Sequence, residues 1–332
     1  MKRTRTYVVL GLVLSLSLSL FVSSGQAVKK DIISFISITG GDRLIYLMNT
    51  QGEMLREPFV IGPVRLYGLT WAPDGRSFAY YLSQNGNSDI YVMDIRTKAH
   101  RQLTFDGARD WSPAWSPNGK WIAFVSERAG NWDIYRMDAN GKNVKQLTDM
   151  GNCIQPAWSP DSQAIAFTSS SFLFVMDTEG KRLKRLVATD AFADCTWSPD
   201  GKQILYSANV GGWKEELFSI DVNGGHQRQL TLLDRPVSIS EPIWSPNGKW
   251  IVYRLREILK VEPVLGPGNF GLPIIHVIDT AGDGTPELLE STRRLDAYSL
   301  GWAPEGFLSV SPSSEKQATL WGRLKQSEDV FK

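Results

Sequence analysis

Cysteine and histidine are scarce in this chain of 332 residues, with two of the first and three of the second. Cys153 and Cys195 are too few for a disulfide-stapled scaffold or a four-thiolate zinc centre. They fall at different offsets of the repeat described below, so two free, partly buried thiols are expected and a well-formed bridge is not. His100, His226 and His276 share no repeat position, which argues against a common metal site. An excess of either charge is missing too. Thirty-six basic and 35 acidic residues leave a formal net charge of +1. Removal of an N-terminal segment carrying Lys2, Arg3 and Arg5 would take the remainder to about −2, which offers no electrostatic footprint for nucleic acid or anionic lipid. There is no Gly-x-Ser-x-Gly elbow, and too little chain outside the repeats for an α/β-hydrolase domain. The stretch Asp279-Thr280-Ala281-Gly282-Asp283-Gly284 lacks the alternating oxygen ligands of a calcium loop and reads as a turn. These absences predict a non-enzymatic protein without cofactor, metal or catalytic residues.

One long apolar run is present, Tyr7 to Val22. Lys2, Arg3 and Arg5 precede it, and Ser23-Ser24-Gly25-Gln26-Ala27 follows with small residues at the −3 and −1 positions of a cut after Ala27. About sixteen residues fall short of the roughly twenty that span a bilayer. The pattern predicts a signal peptide over 1–27, cleavage, and a periplasmic or secreted product with no membrane span.

The remainder is repetitive. Trp-Ser/Ala-Pro begins at Trp71, Trp115, Trp158, Trp197, Trp244 and Trp302, with spacings of 44, 43, 39, 47 and 58. Such spacings bracket the period of a four-stranded propeller blade. Pro-Asp-Gly at 73–75 and 199–201, and Pro-Asn-Gly at 117–119 and 246–248, supply type I turns after an inner strand. Apolar second strands follow, such as Ile122-Ala123-Phe124-Val125, and then third strands, such as Ile134-Tyr135-Arg136-Met137-Asp138. Nine residues after each closing Asp comes an apolar residue of an outer strand: Leu103, Leu147, Leu186, Leu230 and Leu288. His276 falls three before its Asp, where other repeats carry Tyr91, Tyr135, Phe174 and Phe218, and reads as an aromatic substitute in the core. Second and third strands near Ile33 and Leu44 lack a Trp-Ser-Pro before them, whereas Trp302 brings a first strand without a full blade after it. The simplest closure lets the C-terminal strand complete the N-terminal blade. The expected fold is all-β, a six-bladed propeller over 28–305, with a tail over 306–332.

The run Trp115-Ser116-Pro117-Asn118-Gly119-Lys120, then Asn131-Trp132-Asp133-Ile134-Tyr135-Arg136-Met137-Asp138, then Gln146-Leu147-Thr148, closely resembles the TolB-type, WD40-like propeller repeat. The resemblance covers about residues 31 to 305 and lies in turn and core positions. It implies the fold, and carries no partner-binding residue of the family onto this chain.

Candidate binding residues are sought on the face where outer strands lead into the next inner strand, because loops on a rigid scaffold carry binding. Arg109, Asp110, Trp111, Trp132 and Trp213 are placed there, with an insertion at about 254–271, and together they predict one continuous anchor patch. The same indoles could instead cover their own blades. Three residues before each repeat Trp stand Gly68, Ser112, Gln155, Asp194, Glu241 and Ser299, expected around the channel mouth. Asp194 and Glu241 make one side acidic, suited to a cation or basic group, or else are ordinary solvated carboxylates. The expected function is an extracytoplasmic, non-catalytic scaffold for a protein partner. A glycan-binding protein, or a propeller lyase or hydrolase using the channel mouth, is the alternative.

Overall fold

The computed structural model describes residues 31–304, apart from 40, 56–57, 63–64, 190–192, 260–269, 282–285, 290–291 and 294. The signal peptide expected over 1–27, the tail expected over 306–332, and most of the insertion at 254–271 lie outside the described residues. Among the described residues twenty-four strands form six sheets of four. The first sheet contains β1 (Ile33–Thr39), β2 (Asp42–Met48) and β3 (Phe59–Gly62), and the second β4 (Leu66–Trp71), β5 (Ser77–Gln84), β6 (Asn87–Asp94) and β7 (His100–Gln102). The third holds β8 (Asp110–Trp115), β9 (Trp121–Ser126), β10 (Asp133–Asp138) and β11 (Lys145–Gln146). The fourth holds β12 (Cys153–Trp158), β13 (Ala164–Ser169), β14 (Phe172–Asp177) and β15 (Lys184–Ala188). The fifth holds β16 (Cys195–Trp197), β17 (Gln203–Asn209), β18 (Glu215–Asp221) and β19 (Arg228–Gln229). The sixth holds β20 (Val237–Trp244), β21 (Trp250–Glu257), β22 (Ile274–Asp279) and β23 (Glu287–Leu288). The last strand, β24 (Tyr298–Trp302), joins the first sheet beside β1, with Ile33 opposite Trp302 and Ser34 opposite Gly301. This is the closure that the sequence predicts. No helix of the described residues is long and apolar enough to cross a membrane.

The repeat residues act through defined hydrogen bonds. In the third blade the Ser116 hydroxyl accepts the Trp121 N–H at 2.9 Å and donates to Asn118 Oδ1 at 2.8 Å, while the Gly119 N–H returns to the Ser116 carbonyl. Gly119 sits at φ +73°, a conformation glycine adopts without penalty. Ser159 with Asp161, Ser198 with Asp200 and Ser245 with Asn247 repeat this turn. At the outer edge Thr104, Thr148 and Thr231 accept the N–H of Ile90, Ile134 and Leu217 at 3.0, 2.9 and 3.0 Å. Their hydroxyls donate to Asp89, Asp133 and Glu216, so buried backbone and carboxylate satisfy one another.

The core is divided among the blades. Six apolar clusters each lie between two neighbouring sheets, for example Ile36, Ile45 and Leu47 of the first against Phe78, Tyr80 and Met93 of the second. Every blade also sets an aromatic of its second strand against the ring opposite in its third, tilted by 34° in the third blade and stacked in the others, as in Tyr80–Tyr91 at 5.8 Å and Tyr206–Phe218 at 5.7 Å. In the sixth blade the pair is Tyr253 and His276, 5.6 Å apart and 22° from parallel. His276 is buried there, and burial holds its pKa below the usual imidazole value. Cys153 and Cys195 are both free and buried. Burial pushes the Cys153 thiol up to about 11.

Candidate binding site at the channel mouth

Asp110 pairs with Ser126, and Ser126 with Asp133, so inner strands begin on the face where second strands end. That face carries the loops. The Trp-Ser-Pro turns lie on the opposite one. Near its start each of β4, β8, β12 and β20 slips register against its neighbour, and β24 does so against β1. The slip falls at the residue three before the repeat Trp, and five such residues have positive φ: Gly68 +62°, Ser112 +45°, Gln155 +54°, Glu241 +55° and Ser299 +54°. A bulge of this kind bends the strand and re-aims the side chains on either side. At Gly68 a Cβ would come to 3.0 Å from the Tyr81 ring, closer than ordinary contact, so a side chain there would have to shift that ring.

The bulged residues, together with Asp194, line a central cavity of about 750 Å³. Their side chains bind blade to blade. The Gln155 amide donates to Asp194 Oδ1, and the Glu241 N–H donates to Asp194 Oδ2 at 2.6 Å. The Leu300 N–H donates to Glu241 Oε2 at 2.7 Å, and Arg254 Nη1 lies 3.5 Å from Glu241 Oε1. Ser299 closes the series by accepting the Leu69 N–H at 3.4 Å. Burial in the channel wall pushes the Asp194 carboxyl up to about 6. All four carboxylate oxygens thus face a donor of the protein itself. Asp194 is thereby tied into the wall, whereas the Glu241 side chain remains 28% exposed. Among the described residues no group of three or more His, Cys, Asp and Glu is placed to share a metal ion.

The predicted anchor patch is distributed differently from expectation. Arg109, Asp110, Trp111 and Trp132 all belong to the third blade and Trp213 to the fifth, so the fourth blade separates them. Asp110 is completely buried, held by Arg128 at 3.1 Å, and Arg128 also reaches Asp106 at 2.9 Å. Burial raises the Asp110 carboxyl above the ordinary range. Trp111 and Trp132 meet edge to face at 4.9 Å and pack on the core between the third and fourth blades. The Trp132 indole N–H is taken by Glu127, whose other oxygen binds Arg109 at 2.8 Å. These two indoles thus cover the blade that carries them. Trp213 alone of the three remains exposed, at 39%, with its carbonyl accepting the Val237 N–H. The part of the insertion at 260–269 lies outside the described residues.

Other residues occupy the mouth. Tyr67 and Tyr81 lie 5.6 Å apart and Tyr67 and Tyr298 6.3 Å apart, on the wall shared by the first, second and sixth blades. Arg254 and Arg256 project from β21 into the same wall, Arg256 Nη2 being 3.5 Å from Asp296 Oδ1. Desolvation raises the Tyr81 and Tyr298 hydroxyls above the usual phenol value. A sequence signal for them exists: Tyr67, Trp111 and Tyr298 all stand four residues before a repeat Trp.

The family model described as TolB beta propeller domain matches residues 17–172 and 149–262. Among solved structures, TolB from Acinetobacter baumannii is similar with a TM-score of 0.63 and 24% identity, over 83% of this chain and 67% of that one. A chain of the nidogen/laminin complex gives 0.60 at 12% identity, over 82% and 98% of the two chains. Oligogalacturonate lyase from Vibrio parahaemolyticus gives 0.52 at 12% identity, over 78% and 74%. At such identities the structural likenesses establish the fold alone. With the family model spanning most of its length, the chain belongs to the TolB β-propeller domain family.

Proposed function

We propose that this chain is an exported, non-catalytic scaffold that holds a protein partner on its loop-bearing face, at the mouth of the channel. The observation that carries this reading is the grouping of Tyr67, Tyr81 and Tyr298 with Arg254 and Arg256 on one wall of the mouth. Protein interfaces concentrate their energy in Tyr, Trp and Arg, and here such residues stand on a closed ring that loses little freedom when bound. Export is supported by the basic head, apolar run and small-residue site of the first 27 residues. A non-enzymatic role is supported by the sequence, which carries no Gly-x-Ser-x-Gly motif and only three His. A glycan is the second reading, favoured by the exposed Tyr67 ring, since sugar rings stack on such faces.

The test uses the mature protein as bait in a cross-linking pull-down from envelope extract, beside its Tyr67→Ala variant. Tyr67 is 39% exposed, so the variant should melt within a few degrees of wild type. Loss of a hot spot worth about 2 kcal/mol weakens capture by roughly tenfold or more. Undiminished capture with an intact melt would move the partner off this wall. Recovery of a glycan in place of a protein would establish the second reading.

A further inference from the structure

Donors without acceptors stand in and behind the mouth wall. Arg43, on β2, is only 8% exposed, and among the described residues no carboxylate lies within salt-bridge distance of it. Its Nη1 reaches the Gly41 carbonyl at 3.5 Å, and its Nε has no partner. A guanidinium buried in this way is an uncompensated charge. Beside it stands Tyr298, whose buried hydroxyl oxygen the Arg43 guanidinium approaches as a donor, and whose own proton finds no acceptor. Arg256 also has a buried Nε without a partner, while its Nη2 reaches the half-exposed Asp296. The acceptors nearby, Asp194 and Glu241, are engaged by blade-to-blade donors. A sugar hydroxyl needs donor and acceptor together. A carboxylate needs donors alone.

We infer that this wall takes a carboxylate presented by the protein partner, either an acidic side chain or a chain end. The inference rests on the scaffold reading above. The carboxylate accepts from Tyr298 and Arg256 in the field of Arg43, and the segment that bears it packs on Tyr67 and Tyr81. Asp296 stands in for this group on Arg256 while the wall is empty, and the partner displaces it. Charge-assisted hydrogen bonds from arginine are the stronger kind, and planar carboxylates suit its fork.

Fluorescence anisotropy on the whole mature chain tests this with short labelled peptides. One carries a Glu-Glu pair and an amidated end, one has Gln-Gln in its place, and a third is neutral with a free end. The Glu peptide or the free-ended peptide should bind about tenfold more tightly than the Gln peptide, and less tightly as salt rises. Preference between those two identifies the source of the carboxylate. Tyr298→Phe, which keeps the ring, and Arg256→Gln should each weaken the bound peptide about tenfold without moving the melting curve. Asp296→Asn should tighten it, because a competing carboxylate is gone. Equal binding of all three peptides, no binding of any peptide below ~1 mM, or weaker binding to Asp296→Asn overturns the inference. If any of these occurs while capture of a protein still depends on Tyr67, only the carboxylate is wrong. If Tyr67 is irrelevant to capture, the scaffold reading itself fails at this wall.

Discussion

Asp194 illustrates how one residue type can look like chemistry and act as construction. From its position before Trp197, the sequence allowed a cation-binding acid or a solvated one. In the folded ring it is a hydrogen-bonded link between Gln155 and the Glu241 backbone. The difference was illegible because the donors arrive from neighbouring blades, 39 residues before and 47 after. The link has a pH signature. Burial pushes the folded carboxyl up to about 6 from the ordinary 3.8, so the folded state holds the proton more tightly than the unfolded one. Stability from this group is complete below pH 3.8 and is lost as pH rises through 6, in total at most about 3 kcal/mol. Asp194→Asn keeps an acceptor for the Glu241 N–H, and its amide can pair with a turned Gln155. It should therefore melt higher than wild type at pH 8, with the gap closing between pH 6 and 4 in paired melting curves. A gap that does not vary with pH would refute the assignment.

Strands and turns were far more legible than side-chain direction. Trp-Ser-Pro, Pro-Asx-Gly and the Asp turns are local devices, and each forms from residues within five positions of one another, as Ser116, Asn118 and Trp121 do. The bulges were not legible. Gly68, Ser112, Gln155, Glu241 and Ser299 have no common chemistry, and their positive φ is imposed by the bend of the inner strands around the channel. An extra residue in a strand reverses the in–out alternation beyond it. The sequence left Trp111 open between an anchor and a cover for its blade, and it packs between sheets, whereas Tyr67 at the same repeat position is 39% exposed. His276 was read correctly because its place is fixed by strand pairing opposite Tyr253. The pair predicts that His276→Phe, which restores a fully apolar stacked ring, is neutral or stabilising by up to about 1 kcal/mol in denaturant titrations. A clear loss of stability would mean that the contact of Nδ1 with the Ile274 carbonyl, at 3.3 Å, matters more than the buried imidazole's desolvation.

For the whole molecule, six sheets share six apolar interfaces, so no blade owns its core. Closure depends on β24, which supplies the inner strand of the first blade and part of the cluster between the sixth and first. A chain ending before Leu295 should lose cooperative unfolding and expose the edge of β1. One ending at Pro312 keeps β24 and should unfold as the full chain does. Equal unfolding of the two by calorimetry would mean that closure does not rest on this strand.

The seam between β1 and β24 also sets how the ring answers to force. Ile33 lies opposite Trp302, and the strands run antiparallel away from that pair. Both ends of the ring therefore leave side by side, from the face opposite the mouth. Pulling them apart loads the bonds of the seam one after another, as a zipper is opened, and never all at once in shear. The seam is thus where tension from a tether at each end would first part the ring, whereas a pull between the mouth and one end leaves it unzipped last.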